Sequence, residues 1–115
     1  MYDDVTSVAL HSALRGLALR QRVGADNIAN IQTPGFLAGR VDFESALRQA
    51  LATRGSADVT PAVARSLEPT RLDGNNVNLD QETLLGIDSN LRYQLMLRAV
   101  DDRFGLLRAA VRGTV

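Results

Sequence analysis

Side chains able to carry out chemistry are sparse in this chain, and their spacing does not assemble a reactive centre. His11 is the sole histidine and there is no cysteine. Disulfides and thiolate metal sites are therefore excluded, and no second imidazole is available to share a metal. No serine stands out as a nucleophilic partner for His11, which reads as a surface or interface side chain. Asp73-Gly74-Asn75-Asn76, followed by Asp80 and Glu82, has the residue types of a calcium loop but misses the spacing of an EF-hand. A turn leading into a helix accounts for it better. With no glycine-rich phosphate loop and no acid–base pair, these residues predict neither an enzyme nor a cofactor or metal site. They point to a protein that works by contact.

The contact-making elements are legible as two apolar-periodic segments. In the first, from about Asp3 to Ile31, Leu10, Leu14, Leu17, Gln21, Gly24, Ile28 and Ile31 recur at alternating steps of four and three, the seam of a heptad. Asp3, Asp4, Thr6 and Ser7 are candidate N-caps. Val5, Val8, Leu19 and Val23 lie off the seam and widen the apolar surface, so this helix is expected to have apolar contacts on more than one side. Gly16 and Gly24 each weaken a helix by about 1 kcal/mol relative to alanine, as tolerated weaknesses or as points of close approach by a neighbouring helix. The last segment runs from about Asp80 to Arg112. Leu84, Ile87, Leu91 and Leu95 begin its apolar face, and Tyr93, Leu97, Val100, Phe104, Leu107 and Val111 continue it in heptad register. Asn78 or Asp80 can cap it, with Gln81 placed for a capping box, and Gly113 suits its end.

Between the helices, Thr33-Pro34-Gly35-Phe36 has the composition of a type II turn. Proline presets φ at the second position and glycine supplies positive φ at the third. Pro34 also disfavours helix at Thr33, so the first helix should end by about Gln32. Asp42 can cap a short helix from Phe43 to about Ala52, with Phe43, Leu47, Ala50 and Leu51 on one face. From Thr53 to about Asn76 the periodicity fades into a loop rich in small and polar residues. The expected organisation is one all-α domain. A helix within 1–32 and a helix within 78–115 form an antiparallel coiled-coil hairpin, with a turn and short helix over 33–52 and a flexible, irregular loop over 53–77.

Composition agrees with helical packing and removes several classes. The 115 residues are 45% hydrophobic but only 4% aromatic, with no tryptophan. Thirteen basic residues, all arginine, balance thirteen acidic ones, which removes the electrostatic footprint of a nucleic-acid binder. No run approaches the ~18 consecutive apolar residues of a membrane span. Met1-Tyr2-Asp3-Asp4 lacks the basic start of a secretory signal peptide.

Asn27-Ile28-Ala29-Asn30, two residues, then Thr33-Pro34-Gly35-Phe36 resembles the N-terminal signature of the bacterial flagellar axial proteins, the rod and hook family. The match continues in order. Asp42-Phe43-Glu44-Ser45-Ala46-Leu47 resembles the Asp-Phe-Glu-x-x-Leu of its proximal rod members. Asp73-Gly74-Asn75-Asn76-Val77 through Glu82 resembles their approach to the C-terminal helix, and Asn90-Leu91-Arg92-Tyr93 their Asn-x-x-Tyr. Phe36 stands where tyrosine is more usual, and Leu37-Ala38-Gly39 lacks the basic residue often found there. The resemblance implies a structural subunit of the proximal rod of the flagellar basal body. Such a subunit polymerises through its terminal helices into a hollow drive shaft, without a cofactor. Its implied partners are copies of itself, other rod proteins, and rod-adapter or export-gate proteins at the inner-membrane end. The implied route out is the flagellar type III apparatus. A second kind of proximal rod protein, or a generic coiled-coil adaptor, is the alternative. In either case two helices alone are under-supplied with partners, so the isolated chain is expected to gain helix on assembly.

Overall fold

The two long helices form where the heptad spacing places them. In the computed structural model, which describes residues 5–53 and 55–113, α1 spans Val5–Ala29 and α3 spans Leu79–Arg112. Between them lie β1 (Gly39–Val41), α2 (Glu44–Ala52) and β2 (Val63–Arg65). At 1.5 Å per residue α3 is about 50 Å long, and it sets the longest dimension of a 64 × 28 × 14 Å molecule. Gly24 of α1 faces Glu82 near the start of α3. Tyr93 and Met96, further along α3, pack against the cluster that contains Leu17. Position therefore falls along α1 as it rises along α3, and the pair is antiparallel.

The ends of the elements follow from local chemistry. The Asn78 side chain accepts from Gln81 N–H at 3.1 Å, capping α3. Gly113 closes the helix in the left-handed conformation at φ 70°. The Asp3 and Asp4 caps lie outside the described residues; Thr6 and Ser7 lie inside α1 and not ahead of it. α1 ends at Ala29, three residues before Gln32, and a turn carries the chain to Pro34. α2 starts at Glu44, with Asp42 Oδ1 accepting from Ser45 N–H.

The expectation of an all-α chain requires correction. β1 and β2 form a two-stranded antiparallel sheet, with Gly39 opposite Arg65, Arg40 opposite Ala64 and Val41 opposite Val63. The physical reason is burial. Gly39 and Val41 are buried, and a buried backbone must find hydrogen-bond partners. Side chains of α1 supply them for Gly39 and for the Val41 carbonyl on the edge facing away from β2, while Ser66 N–H, just after β2, donates to the buried Ala38 C=O at 2.8 Å on the other. The middle stretch, expected to be irregular, thus contributes a strand, and it also lies against α1. Ser12 Oγ, wholly buried, donates to Ala57 C=O at 2.7 Å and accepts from Val59 N–H at 3.1 Å. Arg15 pairs with Asp58 beside it.

The apolar core is small: Leu17, Val41 and Phe43, with Ala13, Leu19, Val23, Tyr93 and Met96 around them. The largest fully buried side chains are polar, namely Asn27, Asn75, Ser12 and Ser89. Meanwhile Leu84, Ile87, Leu91, Leu95, Leu97, Phe104, Leu106 and Val111 remain exposed along α3. Among the described residues, no helix is long and apolar enough to cross a membrane.

Candidate functional site

The segment after α1 and the segment before α3 meet in a dense set of hydrogen bonds built from asparagines. Asn27, in the last turns of α1, is 1% exposed. Its Nδ2 donates to Gly39 C=O at 3.0 Å and its Oδ1 accepts from Gly39 N–H at 2.8 Å. One amide side chain thus acts as a further strand on the edge of β1 that β2 does not cover. Asn30 tightens the turn: Thr33 N–H donates to its carbonyl at 3.0 Å and Thr33 Oγ1 donates to its Oδ1 at 3.1 Å. Phe36 N–H then donates to Thr33 C=O at 3.2 Å, with Gly35 at φ 74° between them.

The opposite jaw is Arg71–Val77. Gly35 N–H donates to Asp73 C=O at 2.8 Å. Asn75 Nδ2 donates to the carbonyls of Asn30 and Thr33, both at 2.9 Å, while its Oδ1 accepts from Val77 N–H. Asn76 Oδ1 accepts from Ala38 N–H at 2.7 Å, and its Nδ2 donates to the carbonyls of Ser66 and Glu68. Arg71 donates to the carbonyls of Ile31 and Val77. Gly74 is also at positive φ, 85°, and a Cβ there would lie 3.2 Å from Gly35 Cα, so the two glycines let the jaws close.

Ion pairs brace the helices beside this clasp. Arg20 of α1 donates to Glu44 of α2 and to Val41 C=O, and its guanidinium lies over the Phe43 ring at 5.1 Å. Arg92 of α3 reaches Glu44 at 3.7 Å and Asp88 at 2.9 Å. The hydrogen bond from Arg20 holds the Glu44 carboxyl below the usual glutamate range, against the opposing effect of partial burial. Arg40 of β1 pairs with the buried Glu82 at 2.7 Å and donates to Gln81 at 3.0 Å. A cleft of about 470 Å³ opens between α1 and α3, but Arg20, Arg40, Glu44 and Glu82 on its walls are already paired with one another. Nothing in this arrangement presents an activated nucleophile or base; it fixes backbone segments.

The residues singled out by sequence divide into two sets. Asn27 and Phe43 are buried, Asn30, Phe36 and Glu44 half-buried, and Ile28, Ala29, Thr33, Pro34, Gly35 and Asp42 exposed. Of the heptad positions, Leu17 is buried and shares a cluster with Tyr93. Leu10, Leu14, Ile31, Val100 and Leu107 are half-buried, whereas Ile28, Leu84, Leu91, Leu97, Phe104 and Val111 face outward. Sequence reasoning read Asn75 and Asn76 as turn residues and missed their bonds to residues 30–38. It also missed Ser12 and the Arg20–Glu44 and Arg40–Glu82 pairs. One signal was available: Asn27 sits on an apolar-periodic helix, and a buried amide there must be satisfied from elsewhere in the chain.

The chain as a whole is similar to known proteins. The flagellar basal body rod protein FlgB of Escherichia coli (strain K12) is 35% identical over 111 residues, an alignment spanning 76% of this chain and 79% of that protein. The chain belongs to the FlgB family of flagellar basal body rod proteins. The FlgB of Borrelia hermsii is 34% identical over 107 residues, covering 74% of this chain and 79% of its own. That of Bacillus subtilis (strain 168) is 27% identical over 117 residues, covering 90% and 91%. No protein-family model matches the chain. In this member of the FlgB family, the Asn27–Phe36 block is a bracket: its asparagines and backbone tie the end of α1 to β1 and to the approach to α3.

Proposed function

We propose that this chain is a structural subunit of the rod of the flagellar basal body, polymerising through its terminal helices with copies of itself and with other rod proteins into the hollow drive shaft. The observation that carries the reading is the outer surface of α3 in a member of the FlgB family. Among the described residues, Leu84, Ile87, Leu91, Leu95, Leu106 and Val111 along it are each more than half exposed. Water-exposed apolar surface on that scale marks a protein–protein contact. The clasp supports the reading from inside, because it fixes the angle at which α1 and α3 present their faces. The rod-adapter or export-gate proteins at the inner-membrane end are the further partners in this proposal, and the flagellar type III apparatus is the route out of the cell.

Capture of the tagged chain from a flagellated cell tests this. Basal-body components should be recovered with it. Recovery of cytosolic proteins alone would refute the rod assignment and favour a generic adaptor.

A further inference from the structure

Ser89 differs from the other buried polar side chains: among the described residues its Oγ is the one buried side-chain oxygen or nitrogen that makes no hydrogen bond. The residue is 1% exposed on the inner side of α3. A hydroxyl within a helix often returns to the carbonyl four residues earlier. Thr83 on the same helix does so, donating to Leu79 C=O at 2.8 Å, and Ser89 does not. A buried hydroxyl without a partner is costly, so its position calls for an explanation. Ser89 lies on the wall of the cleft of about 470 Å³ between α1 and α3.

A second polar atom on that wall is also short of a partner. Glu82 is 3% exposed, and among the described residues its carboxylate receives one side-chain donor, Arg40, on Oε1. Its Oε2 lies on the side of Gly24, 3.8 Å from where a Cβ on that glycine would be. A Cβ on Gly86, which also lines the cleft, would meet nothing within 4 Å. The two glycines therefore leave open space beside bare backbone. Val23, Ile28 and Leu85 give the cleft apolar walls. Its volume falls within the roughly 300–1,000 Å³ of ligand pockets, whose usual character is an apolar lining with a few polar groups.

The charges decide what can enter. Each charged side chain on the walls is already in an ion pair: Arg20 and Arg92 with Glu44, Arg92 with Asp88, and Arg40 with Glu82. Three cations thus face three anions, and a net charge brought in would find no free counter-charge. An anion offers acceptors only and would oppose the unmet carboxylate oxygen. A cation offers donors only and leaves the Ser89 proton without an acceptor. A primary amide offers both and carries no charge. We infer that the cleft is a binding site for a small neutral molecule bearing a primary amide on an apolar ring or stem. Its carbonyl accepts from Ser89 Oγ, its N–H groups turn toward Glu82, and its apolar part lies against Val23, Ile28 and Leu85. The site stands on the geometry of the folded chain and does not depend on the rod reading.

Titration of the full chain with benzamide, followed by nitrogen–proton NMR of the backbone amides, tests the site. Benzoate and benzamidine carry the same ring with an anionic and a cationic head. Benzamide should cause saturable shifts centred on Gly24, Gly86 and Ser89. The two charged probes should bind about ten-fold or more weakly, for want of a counter-charge. Ser89→Ala should keep or slightly raise the thermal stability of the free chain, because the hydroxyl it removes has no partner there. The same variant should bind benzamide about five-fold or more weakly. Absence of a saturable benzamide shift overturns the site. So does a Ser89→Ala chain that binds benzamide as tightly as the unaltered one, or a charged probe that binds equally well. A marked loss of thermal stability in Ser89→Ala would show the hydroxyl to be satisfied within the chain, and overturns the proposal as well.

Discussion

The Phe43 ring occupies the space that a side chain at Gly16 would need: a methyl group on Gly16 would lie 2.2 Å from the ring's Cδ1. Glycine in mid-helix is therefore required here by a neighbour within the same chain. Gly16→Ala should lose stability by about 1–3 kcal/mol through overpacking, although alanine is the better helix former by about 1 kcal/mol. Gly24 provides the contrast, since its nearest neighbour is Glu82 Oε2 at 3.8 Å. Gly24→Ala should be neutral or stabilising by up to about 1 kcal/mol. Urea denaturation followed by circular dichroism separates the two; equal effects would remove the ring contact as the cause.

Asn75 should be irreplaceable by its closest isostere. Asn75→Asp keeps an acceptor for Val77 N–H but turns a carboxylate oxygen toward the carbonyls of Asn30 and Thr33, which now receive the Nδ2 protons. Both Asn75→Asp and Asn75→Ala should be destabilised by about 2 kcal/mol or more, the cost of leaving buried partners unpaired. In hydrogen exchange the added loss of protection should centre on residues 30–38. A uniform loss throughout the chain would contradict a local clasp.

Acid should weaken the bracing of α1, α2 and α3 through Glu44. Its carboxyl is held below the usual range by Arg20, so the folded state binds the proton less readily than the unfolded state does. The stabilisation is then fully present above the unfolded value of about 4.3 and is lost as pH falls through the lower folded value. The stability advantage of the native chain over Glu44→Gln, measured by denaturation at a series of pH values, should be constant near neutrality and shrink below about pH 4. An advantage that grows on acidification would show that the Arg20–Glu44 pair is not its source.

The parts of the fold readable from sequence are those whose determinants are local. Heptad spacing placed α1 and α3, and Asn78 and Gly113 marked the ends of α3 because caps act within a turn of the helix. The sheet was not legible: Gly39–Val41 and Val63–Arg65 are too short to show alternation, and each needs a partner more than twenty residues away. The clasp was half legible. Thr33-Pro34-Gly35-Phe36 declares a turn, but nothing near Asn75 tells that its amide reaches Asn30. The choice between inward and outward stripes on α3 was also hidden. Its strongest aliphatic run, Leu84, Ile87, Leu91 and Leu95, faces away from α1, while Ser89, Tyr93 and Met96 lie on the inner side. Hydrophobicity alone does not distinguish cover by the same chain from cover by another.

The preference for amides over aliphatic groups at the corner between the helices has a mechanical consequence. Oily contacts are non-directional and can slip past one another with little penalty, whereas a hydrogen bond weakens steeply once its angle opens. The side chains of Asn27, Asn75 and Asn76 together grip eight backbone carbonyl or amide partners around that corner at fixed bearings. In a rod subunit such a joint resists creep between the end of α1 and the approach to α3.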